Sequence, residues 1–149
     1  MGIELRTSGG VGLAGNADIV IAADDATFGL PEVDRGALGA ATHLSRLVPQ
    51  PLMRTMVYTC RTVTAQQLHG FGTVLDVVPP AGLRTAALAV AGEIAAKDPA
   101  TIRLAKQSLN GIDPVDVKRS YRYEQGFTYE LNLTGVSDAA RQAFIDGQR

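Results

Sequence analysis

Ser8-Gly9-Gly10-Val11-Gly12-Leu13-Ala14-Gly15 and the segment Pro31-Glu32-Val33-Asp34-Arg35 are where this chain concentrates groups able to do chemistry. Glycines let a ligand approach the backbone closely, and a helix starting there would present free amides to an anion. The residues alone leave two readings open, an oxyanion-binding turn at Gly9 and Gly10 or a simple loop. Glu32 follows Pro31 at the end of an apolar stretch, where a carboxylate can project into a cleft and serve as a base if desolvated. A solvated surface Glu fits the same residues. Asp34, Arg35 and His43 are close in sequence and are candidates for the same pocket. Their alternatives are an ion pair for Arg35 and a helix-face position for His43.

Other chemistries have less support. His43 and His69 cannot by themselves make a zinc site, and no CxxC or HExxH occurs. Cys60 is the sole cysteine, so no internal disulfide can form, which points to a reducing, cytoplasmic compartment. It reads as a small packing residue rather than a nucleophile. The formal net charge of -1 supplies no bulk attraction to nucleic acid or anionic membrane. No charged-then-apolar leader pattern is visible, and the apolar run Ile19-Val20-Ile21-Ala22-Ala23 is far short of a membrane span. With 149 residues, 46% hydrophobic and 19% charged, the chain can enclose a globular core.

Elements must position these residues. Ile19 to Ala22 is short and β-branched, a buried strand, and Thr27 to Leu30 is a second strand ended by Pro31. Gly36 to Gly39 reads as a loop, and Ala40 to Val48 as a helix closed by Pro49. Pro51 opens the next helix, with Met53, Met56 and Val57 on one face. Thr64-Ala65-Gln66-Gln67 is a capping box for a short helix ended by Gly70 and Gly72, after which Val74 to Val78 is a strand. The remainder is helical. It comprises an amphipathic segment Leu83 to Lys97, a helix opened by Asp98-Pro99 with Ile102, Ala105 and Leu109 on one face, and one opened by Asp113-Pro114. Ser137 caps a last helix carrying Ala140, Ala143 and Phe144. Tyr121, Tyr123, Phe127 and Tyr129 read as a packing stripe. The order predicts an α/β core over 1–80 and a helical region over 81–149.

The combined pattern of Gly9-Gly10, Asp18-Ile19-Val20-Ile21-Ala22, Ala26-Thr27-Phe28-Gly29-Leu30-Pro31-Glu32-Val33 and Thr64-Ala65-Gln66-Gln67 resembles the crotonase (enoyl-CoA hydratase/isomerase) superfamily. The likeness extends through Gly72-Thr73-Val74 and Arg103-Leu104-Ala105-Lys106 and covers the chain from Gly9 onward. Glu32 to Leu44 and Tyr121 to Phe127 are most similar to the hydrolases that open a steroid-derived ring on a CoA thioester. The resemblance implies a spiral of strand-strand-helix turns, a helical region that builds homotrimers or homohexamers, and an N-terminal half that this chain lacks. It implies an acyl-CoA substrate, with coenzyme A as part of it and no separate cofactor. Gly9 would be one oxyanion donor, Gly10 the residue shaping the turn, and Glu32 the acid/base. Phe144 would touch the CoA adenine, although Gly147 stands where a lysine is usual. The second hydratase carboxylate would fall at Gly12 and is absent, which moves the expectation from hydration toward ring hydrolysis. An enoyl-CoA hydratase/isomerase and a non-catalytic remnant are the alternatives.

Overall fold

The computed structural model describes residues 8–31, 34 and 40–112, and in the C-terminal segment residues 126, 129, 130, 132–135, 142 and 146. It divides into two compact units, Met1–Ala89 and Val90–Arg149.

The first unit is built on two small ladders. Strand β1 (Ile21–Ala23) pairs in parallel with β4 (Asp76–Val78), Ile21 opposite Asp76, while β2 (Thr27–Phe28) pairs antiparallel with β3 (Val63–Thr64). A parallel pair needs a long crossover. Here the crossover carries β2, helices α2 (Ala41–Leu44) and α3 (Gln50–Thr59), β3 and α4 (Ala65–Gly70). Backbone bonds from Leu75 to Val20 and from Asp24 to Val78 continue the β1–β4 ladder at both ends. Helix α1 (Ser8–Asn16) precedes all of these.

The core collects one or two apolar residues from most of these elements. Val11, Phe28, Leu44, Met56, Leu68 and Val74 are the largest fully buried side chains. Burying side chains of this size contributes about 1.5–3 kcal/mol each, so the elements are held mainly by this cluster rather than by their short ladders. Met56 lies on the predicted face of α3, with Met53 and Val57 packed against the core beside it. The Thr73 hydroxyl donates to the Leu47 carbonyl at 2.6 Å, tying the loop after α4 to the turn after α2.

Local signals act as their chemistry requires. The Gln67 amide donates to Thr64 Oγ1 at 3.2 Å, and the Gln67 side-chain oxygen accepts from the Thr64 amide at 2.9 Å. Thr64→Ala removes one half of that box and should lower stability by about 1 kcal/mol, read as a shift of the urea midpoint with unchanged slope. Gly72, at φ 77°, supplies the left-handed residue that turns the chain after α4.

Helix α5 (Leu83–Ala95) runs from the first unit into the second, and α6 (Pro99–Ile112) belongs to the second. The segment read as amphipathic from Leu83 to Lys97 forms α5 to Ala95; Leu83, Ala86 and Val90 are half-covered at a helical spacing, and α5 buries no residue. Asp98 caps α6 as expected: its carboxylate accepts from the Thr101 amide at 2.7 Å, a bond that holds its pKa below the ordinary carboxylate value. The face predicted for α6 is corrected at one position. Leu109 is exposed and Ser108 is the buried residue, because the covered stripe is rotated by one residue from the apolar spacing. Tyr129 is likewise exposed rather than packed. Tyr121, Tyr123, Phe127, the Asp113-Pro114 helix start and the Ser137 cap lie outside the described residues. Among the described residues no helix is long and apolar enough to cross a membrane.

Candidate functional site

Helix α1 is glycine-rich, and glycine is about 1 kcal/mol worse than alanine in a helix interior. Its reason is contact. Gly9, Gly12 and Gly15 recur every third residue, so they descend one side of the helix. Gly15 is buried, and a Cβ built there would meet both the carbonyl carbon and the Cβ of His43 at 2.7 Å. Only glycine lets α2 come this close. At Gly12 a Cβ would stand 3.7 Å from His43 Cδ2, an ordinary contact.

The contact is fastened by charge. Arg46 Nη1 donates to the Gly15 carbonyl at 2.7 Å, placing a cation against the C-terminal turn of α1, where carbonyls lack intrahelical donors. Asn16 Nδ2 donates to the Gly12 carbonyl at 3.0 Å in the same turn. Neither Arg46 nor Gly15 stood among the candidate site residues, although the three-residue glycine spacing was a usable signal for them.

At the other end of α1, Gly9 is exposed and its N–H precedes the first intrahelical bond, so this donor can face a ligand. Gly10 is buried beside it. Gly9, the residue that the sequence reading names as a donor, thus stands in the first turn of α1. It lies one turn from Gly12, about 4.5 Å along the axis.

The base candidate is bracketed by described elements. Phe28 and Leu30 are buried and Pro31, just before Glu32, is half-buried. Asp34 is exposed. Ala40 adopts φ 52°, an uncommon conformation for a residue with a Cβ, and precedes α2, where His43 is half-buried against α1. Glu32, Val33, Arg35 to Gly39 and Phe144 lie outside the described residues. Of the predicted site residues, the structure therefore brings Gly9, Gly10 and His43 onto or against one helix, and shows Asp34 exposed.

The two histidines differ. His69 Nδ1 is within hydrogen-bond distance of the Val74 carbonyl, at 3.0 Å, whereas the His43 ring has no hydrogen-bond partner among the described residues. Cys60 is half-buried at the end of α3, with φ 53°. No three His, Cys, Asp or Glu gather as a metal-binding group among the described residues.

Residues 6–145 match the family model described as enoyl-CoA hydratase/isomerase. The chain is 64% identical over 138 residues to a (7aS)-7a-methyl-1,5-dioxo-2,3,5,6,7,7a-hexahydro-1H-indene-carboxyl-CoA hydrolase of Rhodococcus jostii, covering 93% of this chain and 54% of the relative. It is 61% identical over 137 residues to the hydrolase of the same name from Mycobacterium tuberculosis, covering 92% and 56%. Among solved structures, an enoyl-CoA hydratase from Bacillus anthracis superposes with a TM-score of 0.83 at 30% identity, covering 95% of this chain and 56% of that one. The chain spans about half the length of the curated relatives it matches.

Proposed function

Because the chain belongs to the enoyl-CoA hydratase/isomerase family, we propose that it serves a crotonase-fold hydrolase that opens a steroid-derived cyclic β-oxo acyl-CoA through a thioester enolate. The observation that carries this reading is the high identity, along nearly the whole chain, to two relatives named as indene-carboxyl-CoA hydrolases. The exposed Gly9 amide agrees with it, since the reaction needs a fixed donor where negative charge develops.

The chemistry assigns one task to each group. Glu32 takes a proton from water as the water oxygen bonds to the ring ketone carbon, whose π pair moves onto oxygen. When that carbonyl re-forms, the bond from its carbon to the thioester α-carbon breaks, and the electron pair enters the thioester as an enolate. Gly9 N–H holds the enolate oxygen. The α-carbon then takes up the proton held by Glu32, so one water has been added and one carbon–carbon bond broken. Gly10 shapes the donor turn, Asp34 and His43 line the acyl pocket, and Phe144 meets the CoA adenine. No cofactor is required, coenzyme A being part of the substrate. The core of 1–80 supplies the site and the helices of 81–149 serve assembly as a homotrimer or homohexamer.

The runner-up is hydration or isomerisation of an enoyl-CoA, favoured by the likeness to the solved hydratase. Two assays separate them. A bicyclic β-oxo acyl-CoA should gain one water by mass spectrometry and acquire a free carboxylate, while crotonyl-CoA should keep its enoyl absorbance. Loss of that absorbance with no ring opening reverses the assignment, and inertness toward both removes catalysis from this chain.

A further inference from the structure

We propose that the His43 imidazole recognises the second carbonyl of a β-oxo acyl thioester and so sets the site's preference for β-oxo over plain acyl substrates. This deepens, and rests on, the functional reading above.

The direction of the side chain is given by two glycines. The His43 Cβ lies against Gly15, and its Cδ2 lies by Gly12, one turn nearer the start of α1. The side chain therefore runs along the glycine side of α1 toward Gly9. Each of these steps is about 4.5 Å along the axis. Because Gly12 carries no side chain, nothing of its own stands between the ring and the Gly9 turn.

The residue's backbone is held, and its ring is unpartnered among the described residues. Its backbone is clasped by Gly15, its carbonyl accepts from the Arg46 amide at 3.2 Å, and Ala40 starts the helix in a left-handed conformation. Its nitrogens have no hydrogen-bond partner among the described residues, in contrast to His69, whose ring is engaged by Val74. A half-buried imidazole with a spare N–H, fixed by its own backbone, is a donor waiting for an acceptor. Imidazole keeps at least one N–H in either protonation state. A thioester whose oxygen sits on the Gly9 amide carries its β-carbonyl two carbons further on, within the span of one helical turn.

The test compares acetoacetyl-CoA with butyryl-CoA, which differ by the β-carbonyl, in calorimetric titrations of the unmodified chain, H43L and H43Q. The unmodified chain should prefer acetoacetyl-CoA. H43L should weaken acetoacetyl-CoA by about tenfold, the size of one net hydrogen bond, and leave butyryl-CoA within about twofold. H43Q retains an N–H donor and should recover part of the preference. The contacts on Gly15 and Arg46 involve backbone and Cβ, so they survive these substitutions; H43M serves as a second donor-less variant if H43L does not fold. Equal weakening of both thioesters, or an unchanged preference, overturns the role of His43 alone. Binding of neither thioester by the folded, unmodified chain overturns the functional reading with it.

Discussion

Gly15→Ala should disrupt the packing of α1 on α2 and cost about 3 kcal/mol, at the upper end of what overpacking a close contact usually costs. The added methyl would stand 2.7 Å from the carbonyl carbon and Cβ of His43, with the carbonyl oxygen nearer still. These are backbone atoms and a Cβ, not the free end of a side chain, so relief requires moving a whole helix. That movement would also withdraw the Gly15 carbonyl from Arg46 Nη1. The control is Gly12→Ala on the same side of the same helix. Its methyl meets His43 Cδ2 at an ordinary 3.7 Å. There the better helix propensity of alanine, up to about 1 kcal/mol, should leave stability equal or slightly raised. Urea unfolding of both variants decides the matter: similar midpoints would mean that α1 is not clasped at Gly15.

Glu32→Gln should reduce ring opening of a bicyclic β-oxo acyl-CoA by about 10²–10⁴-fold, the usual contribution of a positioned general base. The amide has the size and polarity of the carboxylate but cannot take a proton from water. Acetoacetyl-CoA affinity should therefore change by no more than a few-fold, so the loss falls on turnover. Full activity in Glu32→Gln removes Glu32 from the role of base. A parallel loss of binding would make it a substrate contact instead.

The capping box at Thr64 and the Asp98-Pro99 helix start were legible because each is a local device: one side chain answers a backbone amide within a few residues. The family pattern was legible for a related reason, since its glycines, Pro31 and Glu32 stand at fixed spacings. Helix α1 was less so. Its composition favours a loop, and the repeat of Gly9, Gly12 and Gly15 acquires meaning only when another helix lies against it. The strand read as running to Pro31 ends at Phe28, where its pairing with β3 stops. The short β3 strand at Val63–Thr64 escaped the sequence reading because two residues carry no period, and it exists through its partner β2. Leu109 misled because apolar spacing names a stripe without saying which edge of it is covered.

By itself, then, the amino-acid sequence determined the order of most elements, their start signals, the family, and the identity of the candidate donor and base. These follow from interactions among near neighbours and from motif spacing. Only the tertiary structure decided that α1 and α2 meet through Gly15 and that Arg46 closes the end of α1. It also decided that of two histidines His69 is engaged while the His43 ring lies along α1 with its nitrogens unpaired among the described residues. The α1–α2 contacts depend on backbone approach between residues some thirty positions apart, a distance across which spacing carries no information.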